Sequence, residues 1–122
     1  MKRKSLGNLG ENLAVKDLLK KGLKQLRRNF RSRFGEIDLI FQDKDTLVLV
    51  EVKTRFSKKY GEPEEAVDKR KIETIIKTGE YFRLLNPHTP SSIRIDIISI
   101  LLEPETYKLI SLKHFENVTK FM

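Results

Sequence analysis

Apolar residues fall into seven segments whose spacing and flanking residues predict their secondary structure. Gly22 ends a leading helical segment rich in Leu, Ala and Lys. Two segments dense in Ile, Leu and Val flank the turn residues QDKD, as in a β-hairpin. Pro63 and the acidic residues after it favour a helix start, and the sequence NPHTP ends that helix. The predicted elements are a helix over Ser5–Lys21, strands over Leu23–Asn29, Glu36–Phe41 and Thr46–Thr54, a helix over Pro63–Leu85, and strands over Ser92–Leu102 and Tyr107–Phe115.

The order of these segments limits the fold. It is αβββαββ, which predicts an α/β protein, an α+β sandwich with one central mixed β-sheet flanked by helices. One face of the third strand carries Val48, Val50 and Val52, and its other face begins with Leu47 and Leu49. A strand that is apolar on both sides is central and covered by helices. The length of 122 residues suits a single domain over residues 1–122.

Charged residues interrupt the two apolar strands of the predicted hairpin. Asp38 lies in the first strand, while Glu51 and Lys53 share one face of the second, because side chains alternate along a strand. A two-residue loop of Lys44 and Asp45 would set the two carboxylates directly opposite each other. A four-residue loop over 42–45 would make them diagonal neighbours. Either register leaves their Cβ atoms about 5 to 8 Å apart.

This pair of carboxylates suggests a chemical role. Like charges so close destabilise a sheet unless a cation lies between them, and with carbonyl oxygen and water they suit Mg²⁺ or Mn²⁺. Lys53 would orient or activate water, or offset charge on a phosphate transition state. We interpret the hairpin as a site for phosphodiester hydrolysis, in which crowding raises the pKa of at least one carboxyl group. The alternative is an ion pair of Glu51 and Lys53 on a solvated edge strand.

Composition adds a class of partner and excludes several kinds of site. The chain has 25 Lys and Arg residues against 17 Asp and Glu residues, a net charge of +8, which favours nucleic acid or an anionic membrane surface as partner. It has no cysteine, so disulfides, a thiol nucleophile and Cys-ligated metal sites are excluded. His88 and His114 lack metal-ligand spacing, and we expect both to be surface residues.

The ends of the apolar runs bear on localisation. The basic start MKRK is not followed by the apolar region of a signal peptide, and Asp96 interrupts the longest apolar run, IDIISILL. These features predict a soluble, cytoplasmic protein without a membrane span.

The charged hairpin resembles a known nuclease motif. Asp38 followed by Glu51-Val52-Lys53 is similar to the PD-(D/E)xK motif, with Ile37 where that motif has proline. The wider pattern GEIDLI, VEVKTR and EAV followed by Lys resembles the YraN-like bacterial family of predicted endonucleases, which is related to archaeal Holliday-junction resolvases. The resemblance runs from the first helix to the RIDII strand and so covers most of the chain.

The resemblance implies a fold, an activity and a set of site residues. It implies a restriction-endonuclease-like fold and an Mg²⁺-dependent or Mn²⁺-dependent endodeoxyribonuclease that acts on DNA, branched or structured DNA included. Asp38 and Glu51 would hold the metal, Lys53 would assist, and an acidic residue of the first helix would complete the metal site. Glu11 matches that position, and helical spacing puts it on the inward face; the alternative is a partly exposed residue in a frayed turn. Resolvase relatives are symmetric dimers, which implies a homodimer.

Basic residues near the hairpin are the candidate DNA contacts. Lys71 falls within the apolar arc of the second helix, where a lysine needs an anionic partner or a route to solvent. Both readings stay open: a phosphate contact, and a side chain that reaches water. Arginines supply the sequence-independent contacts to the DNA backbone. The candidates are Arg27, Arg28, Arg31, Arg33 and Arg55.

Two other classes of function fit the charge. One is a nucleic-acid-binding module of the same fold with weak or absent catalysis. The other is a ribosome-associated or RNA-associated basic protein, which leaves the carboxylates unexplained. The intact set of Asp38, Glu51 and Lys53 favours the enzyme over both.

Overall fold

A computed structural model describes residues 3–57 and 68–121 of the chain. Within them the order of helices and strands is the predicted αβββαββ, followed by a short 3-10 helix that the sequence pattern did not indicate. The elements are α1 (Arg3–Lys20), β1 (Lys24–Ser32), β2 (Gly35–Asp43), β3 (Thr46–Phe56), α2 (Lys69–Leu85), β4 (Ser92–Leu102), β5 (Leu109–Phe115) and the 3-10 helix (Val118–Phe121).

The five strands form one mixed sheet in the order β1-β2-β3-β4-β5. β2 is antiparallel to both of its neighbours, β1 and β3, whereas β3 and β4 are parallel, and β4 and β5 are antiparallel. Parallel neighbours need a crossover connection, and α2 lies within the connection between β3 and β4. The predicted α/β architecture with β3 at its centre is confirmed, and it is consistent with a restriction-endonuclease-like fold.

Each face of the sheet packs against one helix. On one face Val48 and Val50 pack with Ala14 and Leu18 of α1. On the other face Leu49 and its neighbours pack with residues of α2, among them Ile72, Ile75 and Phe82. Because side chains alternate along β3, one strand supplies both cores, and each fully buried Val or Leu contributes about 1.5–3 kcal/mol. Neither helix in the described part of the chain is long and apolar enough to cross a membrane.

Both helices approach β3 at a glycine. A Cβ on Gly10 of α1 would collide with the Thr54 side chain, and a Cβ on Gly79 of α2 would collide with Leu49. At each of these two glycines the helix backbone lies too close to the side chains of β3 to leave room for a Cβ atom. The contact at Gly10 fixes the height of α1 above β3 next to Glu11.

The start of α2 differs from the prediction. Asp68 is the N-cap, with extended φ −75° and ψ 121°, and its carboxylate accepts a hydrogen bond from the Arg70 N–H at 2.9 Å. The prediction of one helix continuous from Pro63 is therefore wrong at Asp68, because the extended N-cap residue marks the point where α2 begins. Residues 63–67, which include Val67 of the predicted apolar arc, lie outside the described residues.

Candidate active site

The register of the β2–β3 hairpin brings Asp38 and Glu51 to the same end of the two strands. Paired residues run from Asp43 with Thr46 to Leu39 with Val50. This is the register of the two-residue loop, so that alternative is confirmed. Asp38 and Glu51 each come next after the last pair, at the point where the ladder ends.

Beyond the last residue pair of β2 and β3, the side chain of Asp38 forms the next hydrogen bond between the two strands. Its Oδ2 accepts a hydrogen bond from the Val52 backbone N–H at 2.8 Å. On the other side of β2, Arg28 pairs with Leu39 and Phe30 with Ile37, and Asn29 between them adopts a left-handed φ of 54°. Asparagine tolerates that conformation better than most residues. The backbone of β1 therefore departs from regular strand geometry opposite Asp38. On the other side, the Asp38 carboxylate is hydrogen-bonded to the backbone of β3.

Burial and neighbouring charges act together on Asp38. Burial raises its pKa most, the Val52 N–H lowers it, and the charges of Glu11, Glu51 and Glu36 raise it further, so that the pKa is about 6 instead of the ordinary 3.8. The predicted rise in pKa is confirmed, although burial is a larger cause than repulsion. The repulsion shows that Glu11 of α1 and Glu51 of β3 both lie near Asp38.

Glu51 and Lys53 line one cleft between β3 and the start of α2. The cleft holds about 360 Å³, and Arg55, Asp68 and Lys71 also line it. The Glu51 side chain is 18% exposed, and its Oε1 lies 3.5 Å from Nζ of Lys71. Lys71 is thus an exposed side chain that reaches water, as one of its two interpretations predicted, and its anionic partner is Glu51. The phosphate contact stays a prediction.

Glu11 is held on the sheet by Arg28. Its side chain is only 12% exposed, and its Oε1 accepts a hydrogen bond from Arg28 Nε at 3.1 Å. Arg28 Nη1 donates to Asn12 Oδ1 at 2.7 Å and Nη2 donates to the Asn8 carbonyl at 3.3 Å. A frayed, exposed Glu11 is therefore excluded. Arg28, which we expected to contact DNA, instead directs all three nitrogens toward α1.

The donor set around Asp38 suits a hard divalent cation in part. Asp38 and Glu51 offer carboxylate oxygens, the ligands that Mg²⁺ and Mn²⁺ prefer. Within residues 3–57 and 68–121, however, no three His, Asp or Glu side chains stand close enough to hold a metal ion together. The ion pairs explain this, since Arg28 engages Glu11 and Lys71 engages Glu51. A cation bound here would take Asp38 and Glu51 as ligands once Glu51 leaves Lys71, and Glu11 once it turns an oxygen away from Arg28.

The other candidate arginines are exposed. Arg27 and Arg31 belong to β1, Arg33 follows it, and Arg55 lies near the end of β3. Arg31 Nε is 3.5 Å from Glu36 Oε1, and Arg55 Nη1 donates to its neighbouring Thr54 carbonyl at 3.0 Å. All four can meet a phosphate without leaving a buried site, in contrast to Arg28.

A buried polar cluster on β4 was missed by the sequence analysis. Asp96 is fully buried, and its carboxylate accepts hydrogen bonds from Arg94 Nε at 3.1 Å and from the Asn117 N–H at 2.9 Å. Arg94 also donates to Asp43 Oδ2 at 3.0 Å. The only sequence signal was Asp96 itself, a charge within an apolar run. The cluster joins β4 to the end of β2 and to the residue before the 3-10 helix.

His114 belongs to this cluster, so its prediction as a surface residue is wrong. Its side chain is 5% exposed, and Nε2 lies 2.7 Å from Asp96 Oδ2. Nδ1 lies 2.9 Å from Lys21 Nζ. Because an ammonium group can only donate, Nδ1 accepts and Nε2–H donates to Asp96. His88, in contrast, is exposed as predicted.

Comparison with known proteins identifies one family. Residues 10–100 match the model described as uncharacterised protein family UPF0102. A UPF0102 protein of Persephonella marina is 47% identical over 95 residues, 78% of this chain and 82% of the relative. One of Syntrophomonas wolfei is 44% identical over 106 residues, 87% and 92% of the two chains. One of Caldanaerobacter subterraneus is 41% identical over 115 residues, 94% of each chain. The similarity thus spans the carboxylates of α1, β2 and β3.

Proposed function

This chain belongs to the uncharacterised protein family UPF0102, and from that premise and the carboxylates around Asp38 we propose that it is a metal-dependent DNA endonuclease. The family is the YraN-like one that the sequence resembled, so that prediction is confirmed. The activity proposed is hydrolysis of phosphodiester bonds, with Mg²⁺ or Mn²⁺ as cofactor and branched or otherwise structured DNA as substrate. A homodimer would suit a substrate with two equivalent cleavage sites.

One observation carries the proposal: Asp38 is partly buried beside Glu11 and Glu51, and burial first, then the charges of these neighbouring carboxylates, raise its pKa to about 6. A cluster of like charges is unfavourable in a folded protein without a cation. Strongly shifted carboxyl groups that lie beside a cleft are typical of functional sites. Ion pairs with Arg28 and Lys71 account for the charges of Glu11 and Glu51, but they do not explain why both carboxylates lie beside Asp38 at one end of the sheet.

Each residue of the site has a separate task in this proposal. Asp38 and Glu51 would hold the cation, and Glu11 would add a ligand once it leaves Arg28. A bound divalent cation supplies charge stabilisation and a lowered pKa of water at neutral pH. Lys53 and Lys71, which line the same cleft as Glu51, would position the scissile phosphate with their ammonium groups and offset its charge. The hydrogen bond from Val52 N–H fixes the orientation of Asp38.

The test is cleavage of a DNA panel in Mg²⁺ or Mn²⁺, with linear, flapped, nicked and four-way-junction substrates. We expect Glu51→Ala to lower the cleavage rate by roughly 100-fold or more, as when a group that stabilises transition-state charge is removed. The matched control is Glu73→Ala, since Glu73 is an exposed residue of α2 and should leave the rate unchanged. Cleavage that survives Glu51→Ala, or is lost equally with Glu73→Ala, would reject the proposed site.

The ion pairs of Glu11 with Arg28 and of Glu51 with Lys71 favour a second candidate, a DNA-binding module of the same fold without efficient catalysis. In that case the carboxylates would be neutralised by cations of the protein itself. Metal-independent binding to the panel without cleavage of any member would select this alternative.

A further inference from the structure

A pair of exposed aromatic rings lies beside the β1–β2 turn. Phe34 in the turn is 40% exposed and Tyr81 of α2 is 37% exposed. Their ring centroids are 6.3 Å apart with an interplanar angle of 68°. Tyr81 in turn contacts Phe30, whose ring packs edge-on against buried Phe82 at 5.1 Å. The two outer rings are thus fixed from below by the core, in contrast to a mobile surface side chain.

Arginines border the same rings. The Arg33 guanidinium lies 5.0 Å from the centroid of the Phe34 ring, and that of Arg27 lies 5.6 Å from the Phe30 ring. Arg31 is exposed as well, but its Nε lies 3.5 Å from Glu36 Oε1 and it borders neither ring. Exposed aromatic faces flanked by guanidinium groups match a single-stranded nucleic acid, whose bases stack while its phosphates pair with arginine. A protein partner that binds only through apolar contacts would not need guanidinium groups beside the rings.

The aromatic pair is continuous with the carboxylate site. Phe34 precedes Asp38 by four residues of β-structure, which span about 13 Å. On the helix side, Gly35 packs against Thr74, which lies between Lys71 of the cleft and Tyr81. Because an unpaired strand can extend beyond the spacing of about 3.4 Å per nucleotide found in a duplex strand, at most about four nucleotides would connect the two places.

We propose that Phe34 and Tyr81 form a stacking platform for unpaired bases, with Arg27 and Arg33 as its phosphate contacts. It rests on the proposed nuclease function, and it adds the substrate class: DNA with a single-stranded segment next to the cleavage point, such as a flap or a fork. Fully paired DNA would meet the arginines and leave the aromatic platform unused.

The first test is spectroscopic. The chain contains no tryptophan, so Phe34→Trp introduces a single fluorescent reporter at the platform. We expect a short oligo-dT to quench its emission in the presence of EDTA, where no cleavage occurs, and a blunt duplex to leave it nearly unchanged. Equal quenching by both, or quenching by neither, would overturn the proposal.

The second test is affinity, measured by anisotropy of labelled oligo-dT and labelled blunt duplex in EDTA. We expect Phe34→Ala to weaken oligo-dT binding by about 5- to 150-fold, the effect of losing one stacked base, and to leave duplex affinity unchanged. Leu84→Ala is the matched control, because Leu84 is an exposed apolar residue of α2 outside the aromatic pair. Oligo-dT affinity unchanged in Phe34→Ala would overturn the proposal, and Phe34→Trp repeats the comparison with a ring retained.

These tests are independent of catalysis. Quenching and selective loss of oligo-dT affinity together with absent cleavage would support the platform and reject the nuclease. Cleavage that depends on Glu51, without either effect at Phe34, would do the reverse.

Discussion

At the scale of single residues, the fold makes ionisation of the Asp38 carboxyl group less favourable than it is in the unfolded chain. Its pKa is about 6 in the folded protein instead of 3.8, so the unfolded chain releases this proton more readily. A raised acid pKa stabilises the folded state at low pH, and this contribution is lost as pH rises from about 4 to about 6. Ionised Asp38 therefore destabilises the protein by about 3 kcal/mol at neutral pH.

Asp38→Asn should remove this penalty, because asparagine carries no charge and its Oδ1 can still accept from the Val52 N–H. We expect the variant to be more stable than wild type by up to about 3 kcal/mol near pH 8 and equally stable near pH 4. Urea denaturation at both pH values measures the difference. Asp45→Asn, in the exposed hairpin turn, is the control.

The same variant tests the metal site. Excess Mn²⁺ should raise the melting temperature of wild type relative to EDTA, and by less in Asp38→Asn, since a ligand stabilises the state that binds it. If Asp38→Asn melts below wild type in EDTA and wild type shows no response to metal, Asp38 is a structural residue.

Asp96 is a buried carboxylate of the opposite kind. Burial raises its pKa, but the hydrogen bonds from His114, Asn117 and Arg94 outweigh burial and hold the pKa below 3.8. A lowered acid pKa stabilises the folded state above the unfolded pKa of about 4, and this contribution is lost as pH falls through the folded value.

Asp96→Asn should therefore destabilise the protein by about 3–5 kcal/mol near pH 7, the range for removing one partner of a buried ion pair. Below about pH 4 the difference from wild type should shrink, because the unfolded wild-type chain takes up a proton at Asp96 there, before the folded protein does. Denaturant titrations across pH would show this, with Asp45→Asn again unaffected. A constant difference at every pH would mean that shape and not charge decides the effect.

At the scale of elements, the distance between α1 and β3 positions Glu11. Gly7 and Gly10 are both in α1, and a Cβ on Gly7 meets nothing within 4 Å while one on Gly10 would collide with Thr54. Alanine in place of glycine favours a helix by about 1 kcal/mol. Gly7→Ala should therefore stabilise the protein by up to about 1 kcal/mol.

Gly10→Ala carries the same helix preference but should destabilise the protein by about 1–3 kcal/mol, as overpacking does. It should also slow DNA cleavage, because α1 would lift Glu11 away from Asp38. Thermal melts and cleavage rates of the two variants give the comparison. Equal stability of Gly7→Ala and Gly10→Ala would show that α1 shifts freely on the sheet.

The elements differ in how much of their structure could be predicted from the sequence. The turn residues limited the hairpin to two registers, of which the structure has the two-residue loop. The inward face of Glu11 followed from helical spacing, because that spacing depends on near neighbours in the chain. The start of α2 was misplaced because Pro63 and Asp68 both carry helix-start signals. The bond between His114 and Asp96 depends on the pairing of β4 with β5, and no local pattern reports such a contact.

At the scale of the whole molecule, the excess of basic residues should act through a few exposed arginines. Arg31→Ala and Arg33→Ala should each weaken DNA binding alike for all sequences and lower the slope of log affinity against log salt by roughly one. Binding isotherms over a range of salt concentrations measure this. Lys108→Ala, on the β4–β5 connection, should leave the slope unchanged.

Arg28→Ala removes the same charge as the two preceding substitutions but should have a different effect. It should lower stability through the loss of its bonds to Glu11 and α1, with little change in the salt slope. Unchanged slopes in Arg31→Ala and Arg33→Ala would remove this edge of the sheet from the DNA surface.

Because the strand order in space equals the order along the chain, most strand pairing is local and therefore fast. The β1-β2-β3 meander closes through two short turns, on the timescale of about 1–10 μs for a hairpin. The β3–β4 pairing joins Thr46 to Ser92 and must first close the long connection through α2, which slows folding. The barrier should therefore lie at this one parallel contact. In stopped-flow experiments Ile95→Val in β4 would slow folding, whereas Leu112→Ala in β5, where Leu112 packs against the core, would mainly speed unfolding.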